Sequence, residues 1–183
     1  MRIDKNTMID HRKLTEAELK SVRLKINSIW ESPKIDDVYY KKLTTLTDGR
    51  GDITELWSKP WSVKEKTLKD ISHVYFNHTQ EGVVKAWHIQ ENTTSQYTCV
   101  QGKMQIVLVD LRPESKTYAM VDQFVIGFKN PSFIKIPPGI LKGWKSIQGD
   151  SVIVNLLDSA DIKDNYRYPW DCMLSDIWEP KNG

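Results

Sequence analysis

Between Ile71 and Leu157 the chain is a succession of short alternating segments broken by turns, and no long apolar pattern of helical period runs through it. Successive side chains of a strand point to opposite faces. Ile71 to His78 therefore puts Ser72, Val74, Phe76 and His78 on one face and Ile71, His73, Tyr75 and Asn77 on the other. Val83 to Gln90, Gln96 to Val100, Lys103 to Asp110, Val121 to Phe128, Ser132 to Ile136 and Ser151 to Leu157 continue the series. Gln101-Gly102 reads as a tight hairpin connection, and Pro137-Pro138-Gly139 as a turn. Many short strands with regular turns predict an all-β sandwich or barrel and disfavour a parallel βαβ sheet.

Ahead of this region the sequence predicts a helix. Thr15 followed by Glu18 is a capping box, which satisfies two backbone N–H groups at a helix start. Leu19, Val22, Ile26 and Ile29 then recur at helical spacing, and Ser32-Pro33 ends the run. The expected organisation is an N-terminal helical extension over 1–34 and one β domain over 35–183. Asp161 to Trp178, polar and aromatic, reads as a covering segment with a short helix.

Composition narrows the function classes. Twenty-six Lys and Arg against 24 Asp and Glu leave a net charge of +2, spread along the chain. Nucleic-acid binding needs a basic stripe, so no nucleic-acid partner is expected. No apolar run approaches the roughly 20 residues of a membrane helix, and Met1 to Asn6 lacks the apolar core of a secretory signal. Cys99 and Cys172 form no metal-type spacing and read as reduced thiols. The expectation is a soluble cytoplasmic protein without a membrane partner.

The segment with chemistry in it is Gly82-Val83-Val84-Lys85-Ala86-Trp87-His88-Ile89-Gln90. A histidine on such a strand is either a satisfied core residue or a base in a pocket. His11, His73 and His78 do not group with it, and no histidine follows it. A metal site of the His-x-His type is therefore disfavoured.

Several motifs, in order, carry a resemblance. They are Asp48-Gly49-Arg50-Gly51 with Glu55; Gly82 to Gln90; Gly102, then Val109-Asp110-Leu111-Arg112 and Ser115-Lys116-Thr117-Tyr118; Ile136-Pro137-Pro138-Gly139; and Asp171, Leu174 and Trp178. Together they resemble the dTDP-4-dehydrorhamnose 3,5-epimerase family, from about Leu43 to Trp178. The resemblance implies a cupin-type β jelly roll, a homodimer, and an isomerase that epimerises a nucleotide-linked 4-keto sugar in polysaccharide biosynthesis. The chemistry is proton abstraction beside a ketone, for which no cofactor is required. By position, His88 is the implied base and Asp171 the carboxylate that orients it, since a buried carboxylate fixes an imidazole tautomer and steadies the imidazolium. Arg50, Glu55, Lys85, Asn77 and Lys142 are the implied substrate-binding residues.

The chain departs from the family pattern at defined places. The family's lysine falls at Thr94-Ser95-Gln96 and its tyrosine near Ala160-Asp161, and neither residue type is present there. Lys85 stands for an arginine, and Lys142 for the histidine after Ile-Pro-Pro-Gly. Lys142 and Asp161 are the positional candidates for replacement acid or oxyanion chemistry, while Tyr97 and Trp144 are candidates to line the pocket, though core packing is the stronger reading for both. Lys85 and His88 point to opposite faces of a regular strand unless a bulge intervenes. Two outcomes fit these departures: an altered epimerase, such as one acting at a single carbon, or a catalytically impaired sugar-nucleotide-binding or dimer-partner protein of the same fold.

Overall fold

The computed structural model describes residues 14–61, 67–161 and 163–179. The capping box forms as expected: Thr15 Oγ1 accepts from the Glu18 N–H at 3.2 Å, and Glu18 accepts from the Thr15 N–H at 2.6 Å. The helix it starts, α1 (Glu16–Ser21), stops well short of Ile29. Residues Lys25–Ile26 instead form strand β1, parallel to a later strand, with Lys25 N–H on Ala119 O and Asn27 N–H on Val121 O. A ready-made sheet edge satisfies these backbone groups and outcompetes a marginal helix of β-branched residues. Of the predicted stripe only Leu19 is buried; Ile26 and Ile29 are exposed.

Ten further strands follow: β2 (Tyr39–Lys42), β3 (Thr45–Asp48), β4 (Gly51–Thr54), β5 (His73–Thr79), β6 (Val84–Ile89), β7 (Ser95–Asp110), β8 (Met120–Gly127), β9 (Ser132–Ile136), β10 (Ile140–Leu157) and β11 (Tyr166–Arg167). A 3-10 turn, Ser175–Trp178, closes the described chain. Strands β7 and β10 pair along their whole length and run through both walls of a jelly roll. One wall is β2-β9-β7-β10-β5, built on the Ser95 end of β7 and the Leu157 end of β10. The other is β1-β8-β7-β10-β6-β11, built on their opposite ends. The expected hairpin at Gln101-Gly102 is thus a bend within one strand. Gly102 sits at φ +69 and a Cβ there would lie 2.5 Å from Asp150 O, so only glycine turns this corner.

Two apolar cores result. Met104, Ile106, Leu108, Phe124, Ile126, Ile134, Ile136 and Trp144 fill the space between the walls. The alternate residues of the second wall, Trp87, Ile89, Val107, Val109 and Leu141, face outward. Leu19, Cys172, Met173, Ile177 and Trp178 cover them. Alternation inside β6 therefore decides what its side chains meet: Trp87 meets the covering segment, and His88 meets the barrel interior.

Candidate active site

His88 pairs across the strands with Lys142, and Lys142 pairs with Leu108 of the inner core. That row points into the barrel. The His88 ring stacks on Trp144, with centroids 5.5 Å apart and planes 17° from parallel, and Tyr97 meets Trp144 edge-on at 5.7 Å. Tyr97 and Trp144 are the core aromatics expected, and they also form the wall on which His88 rests.

Lys85 pairs with Trp144, only two residues along β10 from Lys142, although it is three residues along β6 from His88. The extra residue on β6 is a bulge, and it puts Lys85 and His88 on the same interior face. Gly143 lies opposite the bulge; a Cβ on it would come within 2.4 Å of the Ala86 Cβ. Lys85 Nζ donates to Asn77 Oδ1 at 2.6 Å and to His78 O at 2.7 Å, which ties β6 to β5 across the two walls.

Lys142 is 2 % exposed. Its ammonium donates to Gln90 Oε1 at 2.6 Å and Ser95 Oγ at 2.8 Å, and Ser95 Oγ donates to the same Gln90 oxygen at 2.7 Å. An ammonium accepts nothing, so the carboxamide must turn its oxygen toward Lys142 and its Nε2 away. Among the described residues that Nε2 has no partner. Ser95 lies in the stretch where the sequence lacks the expected lysine, so Lys142 delivers a cation there from another strand.

A cavity of about 340 Å³ opens at this end of the barrel, lined by His73, Tyr75, Asn77, Gln90, Asn165 and Arg167, and also by Ala160 and Asp161. Arg167 pairs with His88, and Asn165 offers the imidazole a hydrogen bond. A larger concavity, about 480 Å³, lies on the outer face beside Gln105, Lys145 and Trp178 and contains no histidine.

The surroundings set the charges. Burial, then the positive charges of Arg167 and Lys142, push the His88 imidazole down to about 4, Lys85 adding to this and the Asn165 contact opposing it. Burial pushes the Lys142 ammonium down to about 7, against the pull of Asp164 and Asp158. At neutral pH His88 is a free base and Lys142 is a donor close to its titration point.

The structure does not bring Asp171 to His88. Asp171 is exposed, and no carboxylate is among the groups acting on the imidazole. The physical reason is strand parity. Trp87 Nε1 donates to Trp170 O, the Trp178 ring lies 5.2 Å from the Trp87 ring, and Cys172 and Met173 join the same apolar cluster, so this segment covers the outer face of β6. Arg50 and Glu55 are not at His88 either. Arg50 sits at the tip of the β3–β4 hairpin, exposed and bonded to Asp48, and Glu55 follows that hairpin, exposed. Lys85, Asn77 and Lys142 do converge on the His88 end. Sequence reasoning missed Tyr75, Gln90, Asn165 and Arg167; only the alternation of residues 71–78, which groups Tyr75 with Asn77, pointed to one of them. Among the described residues no three His, Cys, Asp or Glu gather as metal ligands, and no helix is long and apolar enough to cross a membrane.

Comparison with known proteins matches this picture. A sequence profile for dTDP-4-dehydrorhamnose 3,5-epimerase matches residues 32–173. The "Probable low-salt glycan biosynthesis epimerase" of Haloferax volcanii is 32% identical over 145 residues, 76% of this chain and 90% of that protein. The spore coat polysaccharide biosynthesis protein of Bacillus subtilis is 30% identical over 141 residues, 75% of this chain and 91% of that protein. Among solved structures, the Legionella pneumophila dTDP-6-deoxy-D-glucose-3,5-epimerase in complex with dTDP-4-keto-L-rhamnose superposes with TM-score 0.69 at 18% identity, covering 75% of this chain and 76% of that one. With the jelly roll, the motif order and the barrel-end pocket in agreement, the chain belongs to the dTDP-4-dehydrorhamnose 3,5-epimerase family of sugar-nucleotide epimerases.

Proposed function

We propose that this protein epimerises a nucleotide-linked 4-keto sugar, with His88 as the base that removes a proton from a carbon next to the ketone. The observation that carries this reading is the inward-facing His88–Lys142 pair with Gln90 between Lys142 and the cavity. A neutral imidazole can accept a carbon-bound proton, and the charge then accumulates on the ketone oxygen. Gln90 Nε2, fixed from behind by a buried cation, is the donor for that oxygen. Donors held in place before the reaction stabilise developing charge without reorganisation. Lys85 and Arg167 supply positive charge for a diphosphate, and Asn77 holds Lys85 in place.

The assembly in this reading is a homodimer acting in the cytoplasm. The β3–β4 hairpin supports a dimer: it exposes Leu46 and Ile53 at 66% and 67%, and a second copy would cover them. Arg50 and Glu55, distant from their own chain's His88, would then serve the neighbour's substrate. Two buried free cysteines suit a reducing compartment.

The test is solvent exchange. The protein is incubated in D2O with a 4-keto-6-deoxy sugar nucleotide, and the carbons flanking the ketone are followed by NMR. Deuterium should enter, and His88→Asn should stop it. Tight binding with no exchange would overturn the enzyme in favour of a binding or dimer-partner role.

A further inference from the structure

An epimerisation needs two proton transfers on opposite faces of one carbon, and His88 and Lys142 lie on the same wall of the barrel. The group returning the proton should therefore project from the facing wall. The β5 strand supplies that wall. Asn155 pairs with both Tyr75 and Tyr97, and Tyr97 belongs to the inner core, so the row Tyr75–Asn155–Tyr97 points inward. Tyr75 lines the cavity together with Asn165 and Arg167, the two residues that touch or pair with His88.

We infer that Tyr75 is the catalytic acid that reprotonates the substrate on the face opposite His88. This assignment rests on the epimerase reading and deepens it. His88 takes the proton as the C–H electron pair enters the ring to form the enolate. The enolate then collapses to the ketone as its carbon takes the Tyr75 hydroxyl proton, leaving a tyrosinate and an imidazolium. Solvent returns a proton to the first and removes one from the second, so no other reactant is consumed.

Local contacts suit Tyr75 to this task. Its oxygen accepts from Asn155 Nδ2 at 2.8 Å, which fixes the phenol and stabilises the anion left after transfer. Asn155 is 2% exposed and sits between two paired strands, so it is a rigid support. Arg167 and Asp161 line the same cavity as the phenol, and the His73 ring on its own strand meets it edge-on at 5.5 Å. The other aromatic hydroxyl of that row, Tyr97, is 3% exposed and held off solvent, which makes it a poor donor to a substrate. Phe76 and Val74, by contrast, point outward and carry no proton.

The experiment separates the two half-reactions. In Tyr75→Phe the substrate recovered from D2O should still carry deuterium beside the ketone, while formation of the epimer falls by about 10²–10⁴-fold, the usual contribution of a positioned acid. Circular dichroism and thermal unfolding identify a variant that fails to fold. For that case a second variant, 3-chlorotyrosine at position 75, keeps the hydroxyl and makes it a stronger acid. The alkaline limb of kcat should then move to lower pH. Epimer formation in a folded Tyr75→Phe within about threefold of the parent overturns the assignment. So does joint loss of exchange and turnover, or an alkaline limb that the chlorinated residue does not move. Absence of exchange in the unaltered protein overturns the epimerase reading itself, and this assignment with it.

Discussion

Lys142 stands directly across the strand pair from His88, so a buried cation and the candidate base share one inward-facing row of the barrel. Their environments push them in a useful direction. Burial and nearby cations hold the imidazole neutral, and burial brings the ammonium close to neutrality. Two titratable groups held apart in this way divide base and donor roles within one site. The same arrangement costs stability, because an ammonium is stripped of water.

Replacing Lys142 with methionine should therefore stabilise the protein while disabling it. The folded-state value of about 7 lies below the ordinary 10.5. Between those values the unfolded chain binds a proton that the folded chain does not. This group's destabilisation is thus greatest at and below neutral pH and declines as pH rises toward 10.5. At pH 7 Lys142→Met should raise unfolding free energy by on the order of 2 kcal/mol, part of the gain being lost with the bonds to Gln90 and Ser95. The advantage should shrink at alkaline pH. Epimer formation should fall by about 10²-fold or more as the support of Gln90 disappears. Urea titrations across pH and single-turnover assays measure both; a destabilised Lys142→Met at pH 7 contradicts the account.

His88 gives the opposite window. Its folded-state value of about 4 lies below the ordinary 6.5. As pH falls from 6.5 to 4 the unfolded chain takes up a proton that the folded chain refuses, so stability is lost over this range and no further below it. The loss attributable to this group is about 3.5 kcal/mol at most. It should be absent from the difference between the parent and His88→Asn above pH 7. In kinetics, the acid limb of kcat/KM should lie near pH 4, well below that of an ordinary histidine. An acid limb at pH 6.5 would mean that the imidazole is not held neutral by its neighbours.

Asp171→Asn should leave epimerisation within about threefold of the parent, since loss of a group that touches neither base nor substrate removes no transition-state contact. A carboxylate that oriented His88 would instead be missed by orders of magnitude, and the acid limb would move with it. Measurement of kcat/KM against pH for Asp171→Asn and the parent distinguishes these cases.

The outline of this molecule was legible in its sequence because alternation and turns are local. The strand boundaries around Ile134 and Phe124, the turn at Pro138 and the helix start at Thr15 all rest on neighbours within a few positions. Gln101-Gly102 reads as a hairpin because a glycine in a long strand and a glycine in a hairpin look alike; only pairing along all of β7 and β10 separates them. His88, the candidate base, was legible through its motif. Its company was not. Lys142 reaches Gln90 from 52 positions away, and Tyr75 meets the cavity from another wall. Asp171 was misplaced because sequence order does not say which face of β6 the C-terminal segment covers, and Trp87, one residue before His88, takes it to the outside.

The bulge in β6 offers the most local test of how the site is held. Gly143 lies between Lys142 and Trp144, opposite the extra residue of β6. A methyl at Gly143 would meet the Ala86 Cβ at 2.4 Å and the Trp178 ring at 3.3 Å, and the first of these is far inside contact distance. Neither neighbour is a flexible side-chain end, so β6 itself must move. Gly143→Ala should cost about 1–3 kcal/mol, the range for overpacking a filled core. It should also shift His88 against Trp144 and Lys85 against Asn77, because both contacts are set by the bulge. Turnover should then fall by more than the loss of folded protein explains. Adding Ala86→Gly removes the clash and should restore both stability and turnover in part. A Gly143→Ala protein as stable and active as the parent, or a double variant no better than the single one, would show that the bulge does not position the site.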